Sequence, residues 1–571
     1  NQAIALMNRQ LDGDEADALS RFDAMAAEQP DALRVRYCAG LLEFRRGELA
    51  RAAQHLDAVL QVDPDDPHAA YFMAQSLQQR GDNAAALSWY QRALETDPYM
   101  RSAYYALAQV HRQQGQADEA RRYLALYQRL ADNPRAQLVE FKYTRMGPKC
   151  EAATVGEETR VAAGQPDGPL YAEPIAPLQL AVPTAVQQAG RSSMTVADIN
   201  ADGRADLFLA GRAAGDAGHN AVLLGQSDGT FVSDHAHPLT AVPDVNTALW
   251  GDFDNDGHTD VYLCRRGANQ LWQQTAAGQW QDVTGSTQTA GGAYETVDGA
   301  MFDADHDGEL DLFLVNGDGP DELLNNNLDG TFRPLAAARG LDGGDTATRQ
   351  VLLLDIDNDR DTDIITLKAA PPHAVYINEL GWKYTPAGGP AAFTDRPLAA
   401  IVSGDNDADG EPELYGLGED GRVLRWRPTA AGDWHMTELG SLPPAMQPRL
   451  ELRDVNGDGQ GELLASGAAG IAVYALSGDT LTAVQELGAE PLQGWASVVG
   501  DIARGPALAA LDGDNRLQVW PPGAGRHAFI GLAPTGRSDS AATMRSNASG
   551  IGTRLALRRG SDWVLTDSWR R

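Results

Sequence analysis

The sequence predicts a multidomain chain of α and β structure, in which an N-terminal α-helical solenoid is followed by an all-β propeller. Two repeat periods carry this prediction. Over the first 137 residues, small residues and prolines recur every 34 positions, a period typical of stacked helix pairs. Further along, acidic nine-residue loops recur about every 50 residues, each followed by a short apolar run. The second period suits the four short antiparallel strands of a propeller blade.

The helical repeat is marked by three residue types in register. The marks are Gly13, Gly47, Gly81 and Gly115, then Ala18, Ala52, Ala86 and Ala120, and then Pro30, Pro64 and Pro98. We expect the glycine to end the first helix of a pair, the small alanine to let the two helices approach, and the proline to stop the second helix. This register resembles the tetratricopeptide repeat (TPR), and a generic array of helical hairpins would share it.

Residues 1–146 are therefore predicted to form a helical domain. A further capping helix is expected from Asn133 to about Met146, because the end of a solenoid must cover its last apolar face. Residues 147–172 are rich in Gly, Pro and Glu, and this composition predicts a linker.

Six acidic loops follow, and each places oxygen-bearing side chains at its first, third, fifth and ninth positions. These side chains are Asp198, Asn200, Asp202 and Asp206; Asp252, Asp254, Asp256 and Asp260; Asp303, Asp305, Asp307 and Asp311; Asp355, Asp357, Asp359 and Asp363; Asp405, Asp407, Asp409 and Glu413; and Asp454, Asn456, Asp458 and Glu462. Alternate side chains of a tightly turning backbone can point at one centre, and Ca²⁺ prefers six to eight oxygen ligands at about 2.3–2.6 Å. The loops are therefore predicted to bind calcium, up to six ions in all.

The loops differ from EF-hands, which need a bidentate Glu at the twelfth position and a following helix. Here the twelfth positions include Leu209, Leu263 and Leu314, within runs that read as strands. Metal-free Asp/Gly turns are the alternative, but a turn does not require four carboxylates that repel one another. Three loops depart from the pattern. Arg360 replaces the glycine of the fourth loop, and the first and sixth loops contain one Asn each, which lowers their ligand charge.

The apolar runs after the loops predict propeller blades over residues 173–526. Second hydrophobic runs with a turn follow them, for example at 221–224 and 322–324. A seventh unit is indicated near Asp501 and at 517–520, where the acidic loop has decayed, so this blade is expected to lack metal. Seven blades are predicted. Six or eight stay open, because the closing strand cannot be located from the sequence.

The acidic loops followed by strands such as 312–314 resemble FG-GAP/VCBS repeats, the blade type also found in integrin α-chains. After the last blade, Asn547, the run 550–552 and Arg554 resemble the ASPIC/UnbV segment of the cartilage acidic protein-like family. Residues 527–571 are assigned to such a segment, which is expected to be incomplete. The resemblance covers nearly the whole chain and is typical of bacterial proteins. It implies an exported, calcium-stabilised protein with binding surfaces, and no particular reaction.

Composition excludes several classes of partner. With 46 basic and 79 acidic residues, the net charge of −33 argues against nucleic acid or an anionic membrane. Cys38, Cys150 and Cys264 have no close spacing, so a disulfide framework is not indicated, and buried inert thiols are expected. No apolar stretch is long enough for a membrane span. Weak, permanently filled calcium sites suit millimolar calcium and predict a periplasmic or extracellular location, and a leader or membrane anchor ahead of Asn1 stays open.

The sequence contains one pattern that is associated with catalysis. Ser227 lies in a Gly-x-Ser-x-Gly pattern, but a nucleophile elbow must join a strand to a helix, whereas strand-like runs flank it on both sides. No phosphate loop, dinucleotide fingerprint or zinc motif is present in the sequence. We therefore predict a non-catalytic, calcium-binding scaffold that offers a TPR groove to a protein or peptide and a propeller face to a second partner. The alternative is an enzyme or enzyme subunit with a site in the central channel of the propeller.

Overall fold

The computed structural model describes the whole chain except residues 1, 10, 12, 29–31, 132, 134, 135, 137, 143, 144, 152–165, 182–192, 213–217, 345, 358, 360, 388–392, 408–410, 429–433, 444–447, 468, 469, 489–491, 502, 503, 530, 533, 537–546, 560, 561 and 568–571. The described residues form two compact units. One is helical and lies before residue 163, and the other holds all of the described β-sheets. The predicted order, a helical solenoid followed by a seven-bladed propeller, is confirmed.

In the described part of the first unit, eight helices form four consecutive pairs. They are α1 Gln2–Arg9, α2 Asp14–Glu28, α3 Leu33–Arg45, α4 Leu49–Val62, α5 Pro67–Gln79, α6 Asn83–Thr96, α7 Arg101–Gln113 and α8 Ala117–Arg129. Gly47, Gly81 and Gly115 follow α3, α5 and α7 with φ of +81°, +88° and +75°. This left-handed conformation ends a helix at little cost for glycine. Ala52 and Ala86 are fully buried in the second helices of their pairs, as the 34-residue register predicts.

The capping helix expected over 133–146 is wrong, because none of the described residues in that range is helical. We call residues 138–151 the return segment, and its described residues instead run back across α7, α5 and α3, the first helices of the last three pairs. The N–H of Val139 donates to Oγ of Ser102 in α7 over 2.9 Å, and the ring of Phe141 stacks on Phe44 of α3 with centroids 6.1 Å apart. The apolar side chains that would need a cap are thus covered by an irregular segment with an aromatic anchor.

The ends of the predicted linker, 147–172, are packed rather than free. At one end Pro148–Cys150 forms a 3₁₀ turn whose Cys150 is buried in the helical unit. At the other end Tyr171 is buried in the propeller unit and bridges to Pro522. The middle of this range, 152–165, lies outside the described residues.

Seven four-stranded antiparallel sheets make up the described part of the propeller. The strands are β1 Leu178–Gln179, β2 Met194–Ala197, β3 Asp206–Leu209, β4 Ala221–Gly225, β5 Phe231–Ser233, β6 Val245–Gly251, β7 Asp260–Arg265, β8 Gln270–Ala276, β9 Gln279–Asp282, β10 Thr296–Phe302, β11 Asp311–Asn316, β12 Glu322–Asn326, β13 Phe332–Pro334, β14 Thr348–Leu354, β15 Asp363–Lys368, β16 Ala374–Asn378, β17 Tyr384–Ala387, β18 Leu398–Gly404, β19 Glu413–Gly418, β20 Arg422–Pro428, β21 Trp434–Ser441, β22 Leu450–Arg453, β23 Glu462–Gly467, β24 Gly470–Ser477, β25 Thr480–Leu487, β26 Gly494–Asp501, β27 Gly505–Leu511 and β28 Arg516–Trp520. Short helices α9 Thr284–Thr287 and α10 Ala336–Arg339 and a 3₁₀ turn at Pro238–Ala241 join blades. A two-stranded sheet of β29 Arg554–Arg559 and β30 Asp562–Asp567 follows.

The ring closes through β1, which supplies the outermost strand of the seventh blade by pairing with β28, Leu178 opposite Leu517. Arg526 reinforces this closure. Its buried guanidinium donates to the carbonyl oxygens of Leu170 and, over 2.6 Å, Pro506, and lies 4.3 Å from the centre of the Tyr171 ring. A planar fork of donors suits two carbonyls and an aromatic face together.

The second strand of each blade is buried almost throughout, because neighbouring blades pack against both of its faces. Every residue of β11 is buried, and so are all but the last of β7. Such strands read as continuous apolar runs rather than as an alternating pattern. The largest fully buried side chains of the propeller include Trp250, Trp426 and Trp495. Within the described residues, no helix has both the length and the apolar composition needed to cross a membrane.

Candidate metal sites of the propeller

Each acidic loop joins the first and second strands of its blade, as between β6 and β7 or between β10 and β11. The antiparallel ladder places the ninth residue of the loop opposite the last residue of the preceding strand, so that Asp260 pairs with Gly251 and Asp311 with Phe302. The loop is therefore a tight connection whose two ends are held by the sheet. This geometry gathers its side chains at one edge of the blade.

The first-position carboxylate shapes the loop from inside. Oδ1 of Asp252 accepts the N–H of Asp256 over 3.0 Å, and Oδ2 accepts the N–H of Gly257 over 2.8 Å. Gly257 has a φ of +90°, which turns the backbone toward that carboxylate. Asp198, Asp303 and Asp454 also accept the N–H of the glycine at the sixth position of their own loops. Glycine at the sixth position therefore suits this turn, although the fourth loop has Arg360 there.

The ninth-position acid connects the loop to the third strand of its blade. Oδ2 of Asp260 accepts the N–H of Phe253 over 3.1 Å, and Oδ1 accepts the N–H of Gln274 in β8 over 2.8 Å. The same arrangement occurs at Asp206, Asp311 and Asp363. The sequence predicted these residues only as ligands, and the structure adds that they hold three elements of a blade together.

Burial makes the negative charge of these acids costly. Asp260 and Asp363 are fully buried, and desolvation, opposed in part by their backbone hydrogen bonds, raises the pKa of Asp260 to about 9 and that of Asp363 to about 8. Desolvation and the neighbouring Asp254 and Asp256 likewise raise the pKa of Asp252 to about 6. A cation among these groups would favour their charged forms. The electrostatics therefore match the chemistry of a divalent ion site.

In four loops the carboxylates converge, with one oxygen from each of three residues lying within 4.8 Å of the others. The four sets are Asp252, Asp254 and Asp260; Asp303, Asp305 and Asp311; Asp355, Asp357 and Asp359; and Asp405, Asp407 and Glu413. All donors are oxygens, the ligands preferred by hard cations. In the third loop, Oδ1 of Asp305 is also buried and receives no hydrogen bond from the described residues. The residues present thus fit a calcium ion in these four loops.

The first and sixth loops use their asparagines for internal contacts. Nδ2 of Asn200 donates to Asp202 over 2.9 Å, and Arg204 forms an ion pair with the same carboxylate. In the sixth loop, Nδ2 of Asn456 donates to Asp458 over 3.1 Å and to Glu462 over 2.7 Å. Neither loop is among the four that bring three carboxylates together within the described chain. The sequence predicts a lower ligand charge for these two loops, and in the structure they also place hydrogen-bond donors of Asn or Arg side chains among their carboxylates.

Three of the predicted loops include residues that the structure does not describe. Arg360 in the fourth loop and Asp409 in the fifth lie outside the described residues, although both loops still show a converging set. In the seventh blade, Asp501 pairs directly with Gly505 across a tight turn, and residues 502 and 503 are outside the description. The expectation that the seventh blade lacks metal stays a prediction.

The second loop also contacts the C-terminal segment, which the sequence did not indicate. The N–H of Asp252 donates to Oγ of Ser549 over 2.7 Å, and the N–H of Ala548 donates to Oδ1 of Asn255 over 2.6 Å. Ile551 packs in the same apolar cluster as Met301. Almost three hundred residues separate the partners in the chain, so no local pattern could have revealed the contact.

The Gly-x-Ser-x-Gly pattern has no catalytic geometry. Ser227 lies in the turn between β4 and β5, with a strand on both sides, so the strand-to-helix junction of a nucleophile elbow is lacking among these described residues.

Comparison with known proteins agrees with the two repeat architectures. The FG-GAP-like repeat model matches residues 198–263, 252–314 and 303–366, and the tetratricopeptide repeat model matches residues 11–76 and 77–140. The chain is therefore a TPR and FG-GAP repeat protein with a seven-bladed propeller.

A stretch of 108 residues is 30% identical to cartilage acidic protein 1 of Mus musculus and to that of Homo sapiens. The match covers 18% of this chain and 17% and 16% of those two proteins. Among solved structures, a crystal structure of MamA is similar at 20% identity, with a TM-score of 0.21, over 22% of this chain and 72% of its own. An Agrocybe aegerita lectin, described as recognising non-reducing terminal N-acetylglucosamine, is similar at 17% identity, with a TM-score of 0.38, over 52% of this chain and 80% of its own.

Proposed function

We propose that the protein is an exported, calcium-binding scaffold that joins protein partners through the first helices of its TPR pairs and through a face of its propeller. The observation that carries the calcium part is the convergence of carboxylate oxygens in four loops. TPR and propeller repeats together suggest a protein–protein interaction scaffold.

Calcium is the ion that these donors suit best. The four sets contain only carboxylates and no His or Cys, which disfavours zinc and copper. Each loop offers several protein oxygens, whereas Mg²⁺ usually keeps most of its waters. A bound ion would neutralise acids such as Asp252 and Asp260, whose burial is otherwise costly. The role of the ion is structural. It stabilises the loop that connects the first and second strands of a blade, while the acid at the ninth position of the loop holds the third strand.

The export part of the proposal rests on calcium supply. Calcium sites of extracellular modules typically bind with a Kd of about 10⁻⁴–10⁻³ M, a range that suits the calcium level outside the cytoplasm. Such sites stay filled and stabilise the fold, rather than respond to a signal. The assignment of residues 527–571 to an ASPIC/UnbV segment stays part of this proposal.

Calcium binding is tested by equilibrium dialysis followed by elemental analysis of the whole chain. We expect at least four ions per chain at about 1 mM calcium, one for each converging set. Asp254→Ala and Asp305→Ala, which remove a ligand oxygen altogether, should each remove about one ion. Asp329→Ala is the matched control, because this exposed turn acid accepts hydrogen bonds from Thr331 within the described part of the chain and lies in no acidic loop. Fewer than one ion per wild-type chain would contradict the calcium proposal.

The scaffold part is tested by chemical cross-linking of the whole chain to proteins of its native exported fraction. Cross-links to a reproducible partner should map to α3, α5 and α7 or to one face of the propeller. Cross-links that scatter over the surface, or that the unfolded chain gives equally, would count against specific recognition. Because calcium content is measured separately, the two parts of the proposal can fail independently.

A further inference from the structure

The helical unit contains a pair of cysteines that the sequence keeps far apart. Sγ of Cys38, in α3, lies 3.4 Å from Sγ of Cys150, at the end of the return segment, although 112 positions separate them. Both side chains are buried, and the structure leaves both as free thiols. A disulfide needs a separation of about 2.05 Å, so the sulfurs would have to approach by only about 1.4 Å.

The two thiols are held in place by contacts on either side. Oη of Tyr37 donates to the carbonyl of Met146 over 2.6 Å. Nζ of Lys149 lies 2.6 Å from a carboxylate oxygen of Asp63 and 2.5 Å from one of Asp66. These contacts flank Cys150 and fix it over the first helices of the second and third pairs. The short distance between the two sulfurs is therefore maintained by contacts of the return segment with the neighbouring helices.

We propose that Cys38 and Cys150 form a reversible disulfide that locks the return segment onto α3 and α5, and that reduction of this bond allows the segment to lift. The inference extends the scaffold function, because the first helices of TPR pairs line the concave face offered to a partner peptide. While the return segment is locked, that face is covered at Tyr37, Phe44 and Phe72.

The chemistry balances with glutathione disulfide as the oxidant. The thiolate of one cysteine attacks a sulfur of glutathione disulfide, breaks its S–S bond and releases one glutathione thiol. The second cysteine thiolate then attacks the sulfur of this mixed disulfide, forms the Cys38–Cys150 bond and releases the second glutathione. The protein loses two electrons and two protons, and glutathione gains them.

Because both sulfurs are buried, opening of the return segment should control the rate of their oxidation. Desolvation and the adjacent Cys38 raise the pKa of Cys150 well above its ordinary value, so little thiolate exists while the segment is docked. Glutathione disulfide also cannot reach sulfurs that are at most 1% exposed. We therefore expect oxidation during folding, or when the return segment lifts, and slow reduction of the buried bond once it has formed.

The first test equilibrates the whole chain, both native and during refolding, with glutathione disulfide, then alkylates free thiols after unfolding and maps the peptides. We expect a Cys38–Cys150 cross-link and one alkylated cysteine, Cys264, which is buried in β7 and serves as the internal control. Cys264→Ser should keep the cross-link, and Cys150→Ser should lose it. Two alkylatable thiols at positions 38 and 150 after both treatments would overturn the proposal.

The second test measures whether the bond holds the segment. Amide hydrogen exchange over residues 138–151 should slow at least about tenfold on oxidation, because local opening is then blocked. The oxidised helical unit should also melt on the order of ten degrees higher, since the bond closes a loop of 112 positions. Equal exchange in the oxidised and reduced forms would show that the bond does not control the segment.

A matched pair of variants tests the gating step. Tyr37→Phe removes the hydrogen bond to Met146 and should speed cross-linking of the native protein about five- to tenfold without changing the product. Tyr90→Phe removes a hydrogen bond of 2.7 Å to Gln78, which joins α6 to α5 and does not involve the return segment, and should leave the rate unchanged. Equal rates for the two variants would refute gating by segment release.

Discussion

Removal of calcium should destabilise the propeller far more than the helical unit. The perturbation is dialysis against EDTA, which would empty the four converging sets. For sites with Kd near 10⁻⁴ M, about 1 mM calcium stabilises the folded state by about 1.4 kcal/mol per site, or about 6 kcal/mol for four. For sites with Kd near 10⁻³ M, the sum is about 2 kcal/mol.

These free energies translate into a measurable shift. The strands of the propeller run from Leu178 to Trp520. At about 2 cal/mol/K per residue, the unfolding entropy of this unit is about 0.7 kcal/mol per kelvin. Calcium removal should therefore lower its melting temperature by about 2–8 °C. Carboxylates within 4.8 Å of one another, as at Asp252, Asp254 and Asp260, also repel when no ion lies between them, so the larger values are expected at low salt.

The assay separates the two units by their chromophores. Trp250, Trp426 and Trp495 are fully buried in the propeller, whereas the helical unit contains only Trp89 among its described residues. Tryptophan fluorescence therefore follows the propeller, and far-ultraviolet circular dichroism follows the helices. Magnesium at the same concentration is the control for ionic strength and charge. A propeller melt that EDTA leaves unchanged to within about 1 °C, or an equal fall in both units, would refute the reasoning.

Three further predictions concern single groups. Without calcium, the propeller should lose stability as pH rises from about 4 to 9, because burial raises the folded-state pKa of Asp260 to about 9 and favours its protonated form below that pH. With calcium the trend should reverse, since protons compete with the ion for the carboxylates. Melting curves at several pH values measure the sign of each trend. Asp260→Asn should cost about 1–3 kcal/mol even in EDTA, because one of two buried backbone N–H groups loses its acceptor, whereas Asp254→Asn should change calcium-free stability by less than about 0.5 kcal/mol; urea unfolding distinguishes them. Arg526→Lys should destabilise the ring closure by about 2–4 kcal/mol, because one ammonium cannot replace a fork that serves two carbonyls. Arg422→Lys, whose ion pairs with Asp420 and Glu438 are exposed, should have little effect in the same fluorescence melt.

The repeat registers could be read from the sequence because they arise from local geometry. Gly47 and Gly81 end helices through their own backbone conformation, and Gly257 turns a loop around the Asp252 carboxylate five residues before it. The capping helix over 133–146 failed for the opposite reason. The helical pattern of this range is a local signal, whereas Phe141 stacks on Phe44 in a distant helix, and a short helix depends on such tertiary packing for its stability.

The sequence by itself determined the two architectures and the positions of the acidic loops, because helices and nine-residue loops depend on neighbours in the chain. It predicted seven blades but left six or eight open. Only the tertiary structure decided which acids converge, which strand closes the ring and which thiols meet. Leu178 pairs with Leu517, Ser549 with Asp252 and Cys150 with Cys38. Each contact joins segments more than a hundred positions apart, so it depends on how whole elements pack, and a local pattern carries no record of that packing.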